Sequence, residues 1–312
     1  HHYPVFSMRS FIPYSLFCVF VLAACSGESS NAQHEPSSIE NDVQVWNTHP
    51  QWEWVGDRIS YFVREGDATR IVTVRSDGTE KEELDLGPGN HANPTYSARN
   101  GKIGFSSAPA GSQGAGDIWV ANIDGSEREQ ITDTPEREMQ PAWDVAGIMI
   151  AFIRVVDGNS DIWIVNSRNG LTRQLTKSVS NESHPKWSNE GNRLYYDKTT
   201  DASSEVCTMD IITRQEICLV TFEGMVVSTP APTRSGDRVI FAMAEENETT
   251  DLWEIEVESG ELLQITDTPM ESESAPFLSP DGSQIAFHSD AGGSHHIYVM
   301  NRNGTNRRNI SK

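Results

Sequence analysis

The chain has 312 residues, 24 of them Lys or Arg and 45 Asp or Glu, for a formal net charge of -21 at pH 7. That excess of negative charge repels nucleic acid and anionic lipid headgroups, which excludes a partner reached through a basic surface. It is otherwise the charge that keeps an acidic globular domain in solution.

The first residues read as an export signal. From Met8 a single positive charge, Arg9, precedes an apolar run from Phe11 to Ala24. The run is too short to span a membrane comfortably and has the flanks of a secretory signal. It ends in Leu22-Ala23-Ala24-Cys25, which resembles the lipobox of bacterial lipoproteins. That resemblance implies cleavage before Cys25 and lipidation of its thiol. Residues 1–24 are therefore expected to be an upstream extension and signal peptide. Residues 25–43 are expected to be the lipidated cysteine and a flexible tether rich in Ser, Glu and Asn. Ser26 is not the acidic residue that retains Gram-negative lipoproteins at the inner membrane. The resemblance thus implies the outer membrane, facing the periplasm, with the lipid as the membrane contact.

Residues 44–312 carry a repeat. Prolines at 50, 94, 141, 185, 230 and 276 open the same register, in steps of 44 to 47 residues. Nine and eleven residues after each come an aliphatic and an aromatic residue: Ile59 and Tyr61, Ile103 and Phe105, Ile150 and Phe152, Leu194 and Tyr196, Val239 and Phe241, Ile285 and Phe287. Residues two apart share one face of a strand. A period of this length, with turn residues between short apolar segments, predicts an all-β fold: a six-bladed β-propeller of four-stranded antiparallel blades. Six residues after each proline stands a glycine, replaced once by Asn100. A tight first hairpin calls for a positive φ there, which glycine adopts freely and asparagine tolerates, so Asn100 is expected to take that conformation. In the third repeat the strands are predicted at 138–143, 148–153, 161–165 and 172–176. Trp52, Trp143 and Trp187, with Trp119, Trp163 and Trp253, are expected to fill the spaces between blades.

The segment from Ser279 to Phe287 (Ser-Pro-Asp-Gly-Ser-Gln-Ile-Ala-Phe), followed by His296-Ile297-Tyr298-Val299-Met300-Asn301, resembles the repeat of the TolB-type β-propellers. Asp117-Ile118-Trp119, Asp161-Ile162-Trp163, Asp251-Leu252-Trp253 and the Gln-Ile-Thr-Asp-Thr-Pro at 130–135 and 264–269 fit the same pattern. Their aspartates are expected to bond neighbouring backbone. The resemblance spans residues 44–312 and implies the propeller. The family's namesake carries a separate N-terminal domain, where only a tether is expected here, so that domain's energy-coupled role is not carried over. Repeat five departs from the pattern at Thr229-Pro230-Ala231-Pro232-Thr233. Ring closure stays open: Arg307 to Ser311 completes the sixth blade, or Val43 to Trp46 pairs there as a closing strand.

Cys207 and Cys218 flank Ile211-Ile212-Thr213-Arg214, a turn that would set them opposite each other on antiparallel strands. An oxidising envelope favours a disulfide over two buried thiols, as a staple without catalytic role. In a propeller the residues leading into each inner strand rim the channel. Three positions before the prolines this gives Asn47, His91, Glu138, Glu182, Val227 and Glu273; one position before, His49, Asn93, Gln140, His184, Thr229 and Ala275. Three readings of this polar ring stand side by side. It is a wet channel lining, or it recognises an envelope protein or peptide, as the resemblance implies. Alternatively His and Glu converge on a divalent metal, as in the oligogalacturonate lyases, which this chain also resembles in its repeats. That last reading makes it a metal-assisted lyase or hydrolase of an acidic oligosaccharide. Against it, ligands on opposite sides of a six-bladed channel are expected to stand too far apart to share one ion. No Gly-x-Ser-x-Gly elbow, phosphate loop or Cys-x-x-Cys occurs. The sequence thus points to a non-enzymatic envelope lipoprotein that binds a protein or peptide at its channel mouth, without cofactor or nucleic acid.

Overall fold

A computed structural model describes residues 45–112, 116–245 and 248–312. The expectations on the signal, Cys25 and the tether fall outside these residues. Six four-stranded antiparallel sheets follow one another, each a meander with its strands in chain order. Blade one comprises Val45–Trp52, Arg58–Glu65, Ala68–Arg75 and Glu82–Glu83. The inner strands of blades two to six are Asn90–Tyr96, Arg137–Trp143, Asn181–Trp187, Met225–Pro232 and Glu273–Leu278. Each inner strand contacts the next around a ring, and the first contacts the last. The chain is a six-bladed β-propeller.

The core lies in the seams. Each of six apolar clusters draws its residues from two neighbouring blades. The six repeat aromatics, Tyr61, Phe105, Phe152, Tyr196, Phe241 and Phe287, are at most 1% exposed. Burying such a side chain contributes roughly 1.5–3 kcal/mol, which is why this position keeps its size in every repeat. Trp52, Trp143 and Trp187 are buried, whereas Trp119, Trp163 and Trp253 pack only partly against the clusters.

The Asp-x-Trp and Gln-x-Thr segments form one staple. Asp117 accepts from Gln130 Nε2 at 3.1 Å and from the Thr134 N–H at 3.2 Å, fastening the third strand to the fourth and to the segment that leaves the blade. Asp161 and Asp251 repeat it with Gln174 and Ser178, and with Gln264 and Thr268.

Asn100 differs from expectation. The left-handed residue of that turn is Gly101, at φ 63°. A glycine one position later takes the strained conformation, which leaves Asn100 free to donate from its side chain to Gly147 O of the next blade at 3.1 Å. Arg308–Asn309 completes the sixth blade, and among the described residues no strand from the first repeat is inserted there. The ring closes laterally instead, with a parallel bridge between Trp46 and His295. Cys207 and Cys218 are register partners on the third and fourth strands of blade four and are joined by a disulfide.

Candidate functional site

Every inner strand is interrupted at its proline. Pairing with the second strand shifts between Thr48 and Gln51, Ala92 and Thr95, Ser183 and Lys186, Ser228 and Ala231, and Ser274 and Phe277. Blade three skips likewise from Met139 to Ala142. Proline has no N–H to give the ladder. The residue before it is left-handed in all six blades, from φ 50° at Asn93 to 55° at Thr229. A bulge of this kind re-aims a side chain. An unbroken pleat would set positions two apart on one face. Here the left-handed residue breaks the pleat, and the two candidate rings go to different places.

The outer ring is not a rim, which corrects the expectation for Asn47, His91, Glu138, Glu182 and Glu273. The three glutamates are at most 1% exposed and lie between blades. Glu138 accepts from Thr132, from Thr134 at 3.1 Å and from Arg154 Nε at 2.8 Å. Glu182 accepts from Ser178 at 2.6 Å and Thr176 at 3.2 Å, and Glu273 from Thr268 at 2.6 Å and Arg307 at 2.9 Å. Burial pushes all three carboxyls above their usual range, Glu182 to about 7. Asn47 reaches back to His295 O at 2.9 Å, and the His91 Nε2 lies 3.1 Å from Gly87 O. These groups are buried and spend their hydrogen bonds inside the ring; of them, Glu138 also borders a cavity among blades one to three.

The inner ring converges. His49, Asn93, Gln140, His184, Thr229 and Ala275, with their prolines, enclose a waist of about 30 Å³ in the channel, room for roughly one water molecule. The residue twelve after the proline supports the ring from the same blade. His49 stacks on Phe62 with centroids 5.5 Å apart, Ser106 Oγ donates to Asn93 Oδ1 at 3.2 Å, and His184 Nδ1 lies 2.8 Å from Asp197 Oδ1. Neighbouring bulges are cross-linked as well. Gln140 Oε1 accepts the His184 N–H at 2.8 Å, Asp197 the Thr229 N–H at 2.9 Å, and Thr229 Oγ1 the Ala275 N–H at 3.2 Å.

The rings of His49 and His184, from opposite blades, stack 5.6 Å apart. The expected separation across the channel is therefore wrong: the bulges carry both imidazoles to the axis. His288 joins them, 6.3 Å from His49, with Thr48 Oγ1 between their Nδ1 atoms at 2.9 and 3.0 Å. Burial, then the neighbouring His184, His288 and Lys186, holds His49 well below the usual imidazole range; burial takes His288 to about 4. The donor set does not fit a resident divalent ion. No three His, Asp or Glu donor atoms of the waist come within 4.8 Å of one another among the described residues. The three donors that do converge, on Glu205, Cys207 and Cys218, include both sulfurs of the disulfide.

The TolB beta propeller domain family matches residues 110–312, more than half of the chain. The chain belongs to the TolB β-propeller family. Its structure is similar to TolB from Acinetobacter baumannii, at 17% identity and a TM-score of 0.71 over 82% of this chain; the chain spans only 65% of that one. A putative TolB from Agrobacterium tumefaciens superposes with a TM-score of 0.64 at 15% identity, covering 82% of this chain and 96% of that one. An oligogalacturonate lyase in complex with manganese reaches a TM-score of 0.59 at 11% identity, covering 87% and 79%. At these identities the likenesses establish the fold.

The channel of this TolB-type propeller has two mouths separated by the waist. Where the inner strands begin, a cavity of about 380 Å³ opens among blades one to three, with Phe62, Arg64, Asn90, Arg137 and Met139 in its walls. Arg64 Nε donates to Gly66 O at 3.1 Å, and among the described residues neither arginine pairs with a carboxylate. Partial desolvation and the like charge of Arg64 hold Arg137 below the usual guanidinium range. Where the inner strands end, a cavity of about 100 Å³ is walled by Trp52, Trp54, Trp143, Trp187 and Phe277 and floored by Lys186. Sequence reasoning missed both arginines and Lys186. A signal for the lysine was present, because the residue following each proline is otherwise uncharged: Gln51, Thr95, Ala142, Ala231 and Phe277.

Proposed function

We propose that this TolB-type propeller is a non-enzymatic binding protein of the cell envelope. It is lipid-anchored through Cys25 to the outer membrane and faces the periplasm, and it receives a protein or peptide segment at the mouth on blades one to three. The observation that carries this reading is the pair of arginines without ion-pair partners in a cavity of about 380 Å³, in a chain of net charge -21. Two arginines without ion-pair partners, beside Phe62 and Met139 in a cavity that Asp67 and Glu138 also border, suit an acidic segment bearing an apolar side chain. The rigid blades supply geometry, and the loops at the mouth supply specificity. A metal-assisted lyase is not adopted, because the waist imidazoles do not present a converging donor set.

The test is in-cell crosslinking and affinity capture with the wild type, an Arg64→Ala/Arg137→Ala variant and a Cys25→Ser variant. The expected outcome is one specific envelope protein recovered with the wild type and depleted at least tenfold by the double arginine change. The Cys25→Ser protein should move from the membrane to the soluble fraction. Equal recovery by wild type and arginine variant would overturn the binding site. A membrane-bound Cys25→Ser protein would overturn the anchor.

A further inference from the structure

We propose that the tryptophan-walled cavity at the far mouth is a blind socket for the C-terminal carboxylate of a partner chain ending in an apolar residue, with Lys186 receiving the charge. The inference extends the binding-protein reading to the opposite mouth and to different residues.

The floor is closed. Beyond Lys186 the stacked His49 and His184 leave a waist of about 30 Å³, so nothing larger than water passes from one mouth to the other. The cavity above it, about 100 Å³, opens outward between the blades. Because this cavity ends on the His49–His184 waist, a chain enters it by its end and does not thread through. Trp52, Trp54, Trp143, Trp187 and Phe277 offer an apolar wall, while Gln51 and Thr95 stand in the same layer as Lys186. A terminal residue brings an apolar side chain and a carboxylate to one place, and both halves of the socket are then used. An aspartate or glutamate side chain would bring the charge without the apolar body.

Lys186 is a group for which the fold supplies no counter-charge. Among the described residues its Nζ has no hydrogen-bond acceptor and no carboxylate partner, and its neighbour is the face of Phe277, 4.9 Å away. The five equivalent positions hold uncharged residues. A half-buried ammonium without a counter-charge carries a desolvation cost, which the face of Phe277 offsets only in part. Burial holds the amine down to about 7; an arriving carboxylate would restore the ammonium, so binding takes up a proton. The other titratable or charged groups lining the two cavities are Glu53, Tyr96, Arg234, His49 and His184.

The experiment titrates the purified full chain, by quenching of its tryptophan fluorescence, with the tripeptide Ala-Ala-Leu as free acid, with its C-terminal amide, and with 4-methylpentanoate. The free acid is expected to bind at least tenfold more tightly than the amide. Lys186→Met should erase that difference while melting above the wild type, because an uncompensated charge has gone. Lys186→Gln gives the same reading by a second route, and Lys186→Arg should retain part of the preference. Equal binding of acid and amide, or an undiminished preference in Lys186→Met, would overturn the proposal. Binding of 4-methylpentanoate as tight as the peptide would make this a small-acid site and overturn the assignment to a chain end. The Arg64→Ala/Arg137→Ala variant should bind the tripeptide normally, so the two mouths succeed or fail separately.

Discussion

Glu182 shows how one repeat position acquires different chemistry from blade to blade. Its counterparts Glu138 and Glu273 each have an arginine at hydrogen-bond distance, Arg154 and Arg307. Glu182 has only the hydroxyls of Ser178 and Thr176, and burial carries its carboxyl to about 7 from an unfolded value of 4.5. A folded value above the unfolded one stabilises fully below about 4.5, and that contribution is lost as pH rises through about 7. His288 runs the opposite way: its folded value near 4 gives a contribution present above about 6.5 and lost as pH falls through 4. A difference between two proteins cancels the histidine. Urea unfolding of Glu182→Gln and wild type should agree near pH 4.5, and the variant should be more stable by about 1–3 kcal/mol at pH 8. A constant offset across that range would mean that Glu182 ionises normally. At this scale the sequence was least legible. Glu182 and Lys186 are four residues apart in one strand, yet one is a neutralised acid between blades and the other a stranded amine in the channel.

The bulge is the element that separates those fates, and it explains what the sequence displayed and what it concealed. Six prolines at fixed steps mark the inner strands, and the pairs after them mark the seams, because apolar size at a buried position cannot vary freely. A left-handed residue before proline leaves no such mark: His, Asn, Gln, Thr and Ala all occupy it. Counting by pleat therefore placed Asn47, His91, Glu138, Glu182 and Glu273 beside His49 and His184, where only the latter two belong. Asn100 failed for a related reason, since Gly101 beside it took the turn at lower cost. The bulge conformation itself is testable at Ala275, whose side chain makes no hydrogen bond and whose φ is 51°. A β-carbon there costs about 1–2 kcal/mol, against about 0.5–1 kcal/mol of extra chain entropy for glycine. Ala275→Gly should thus raise unfolding stability by about 0.5–1 kcal/mol, read as a higher urea midpoint with an unchanged slope. A lower midpoint would mean that the left-handed turn is not strained.

Across the whole ring, five seams are bridged by continuous chain, and the seam between blades six and one is held by side chains and one bridge. Its fastenings are Trp46 stacked on His295 at 4.3 Å, Asn47 on the same carbonyl, Lys81 Nζ on Ser311 O at 2.9 Å, and Arg308 on Ser76 O at 3.1 Å. The apolar cluster of that seam, around Val63, Val72 and Ile297, is as dry as the others. Local opening should nonetheless begin there, since parting these two blades stretches no connecting segment. Asn47 holds in blade one the position that carries a bridging glutamate in blades three, four and six, so the same repeat site closes the ring. Removing its amide in Asn47→Ala forfeits one buried hydrogen bond of about 1 kcal/mol but leaves the backbone N–H on His295 O. Hydrogen exchange should consequently quicken by about three- to tenfold along the inner strands of blades one and six and stay unchanged in blades three and four. Uniform acceleration around the ring would show instead that the six blades open only as one cooperative unit.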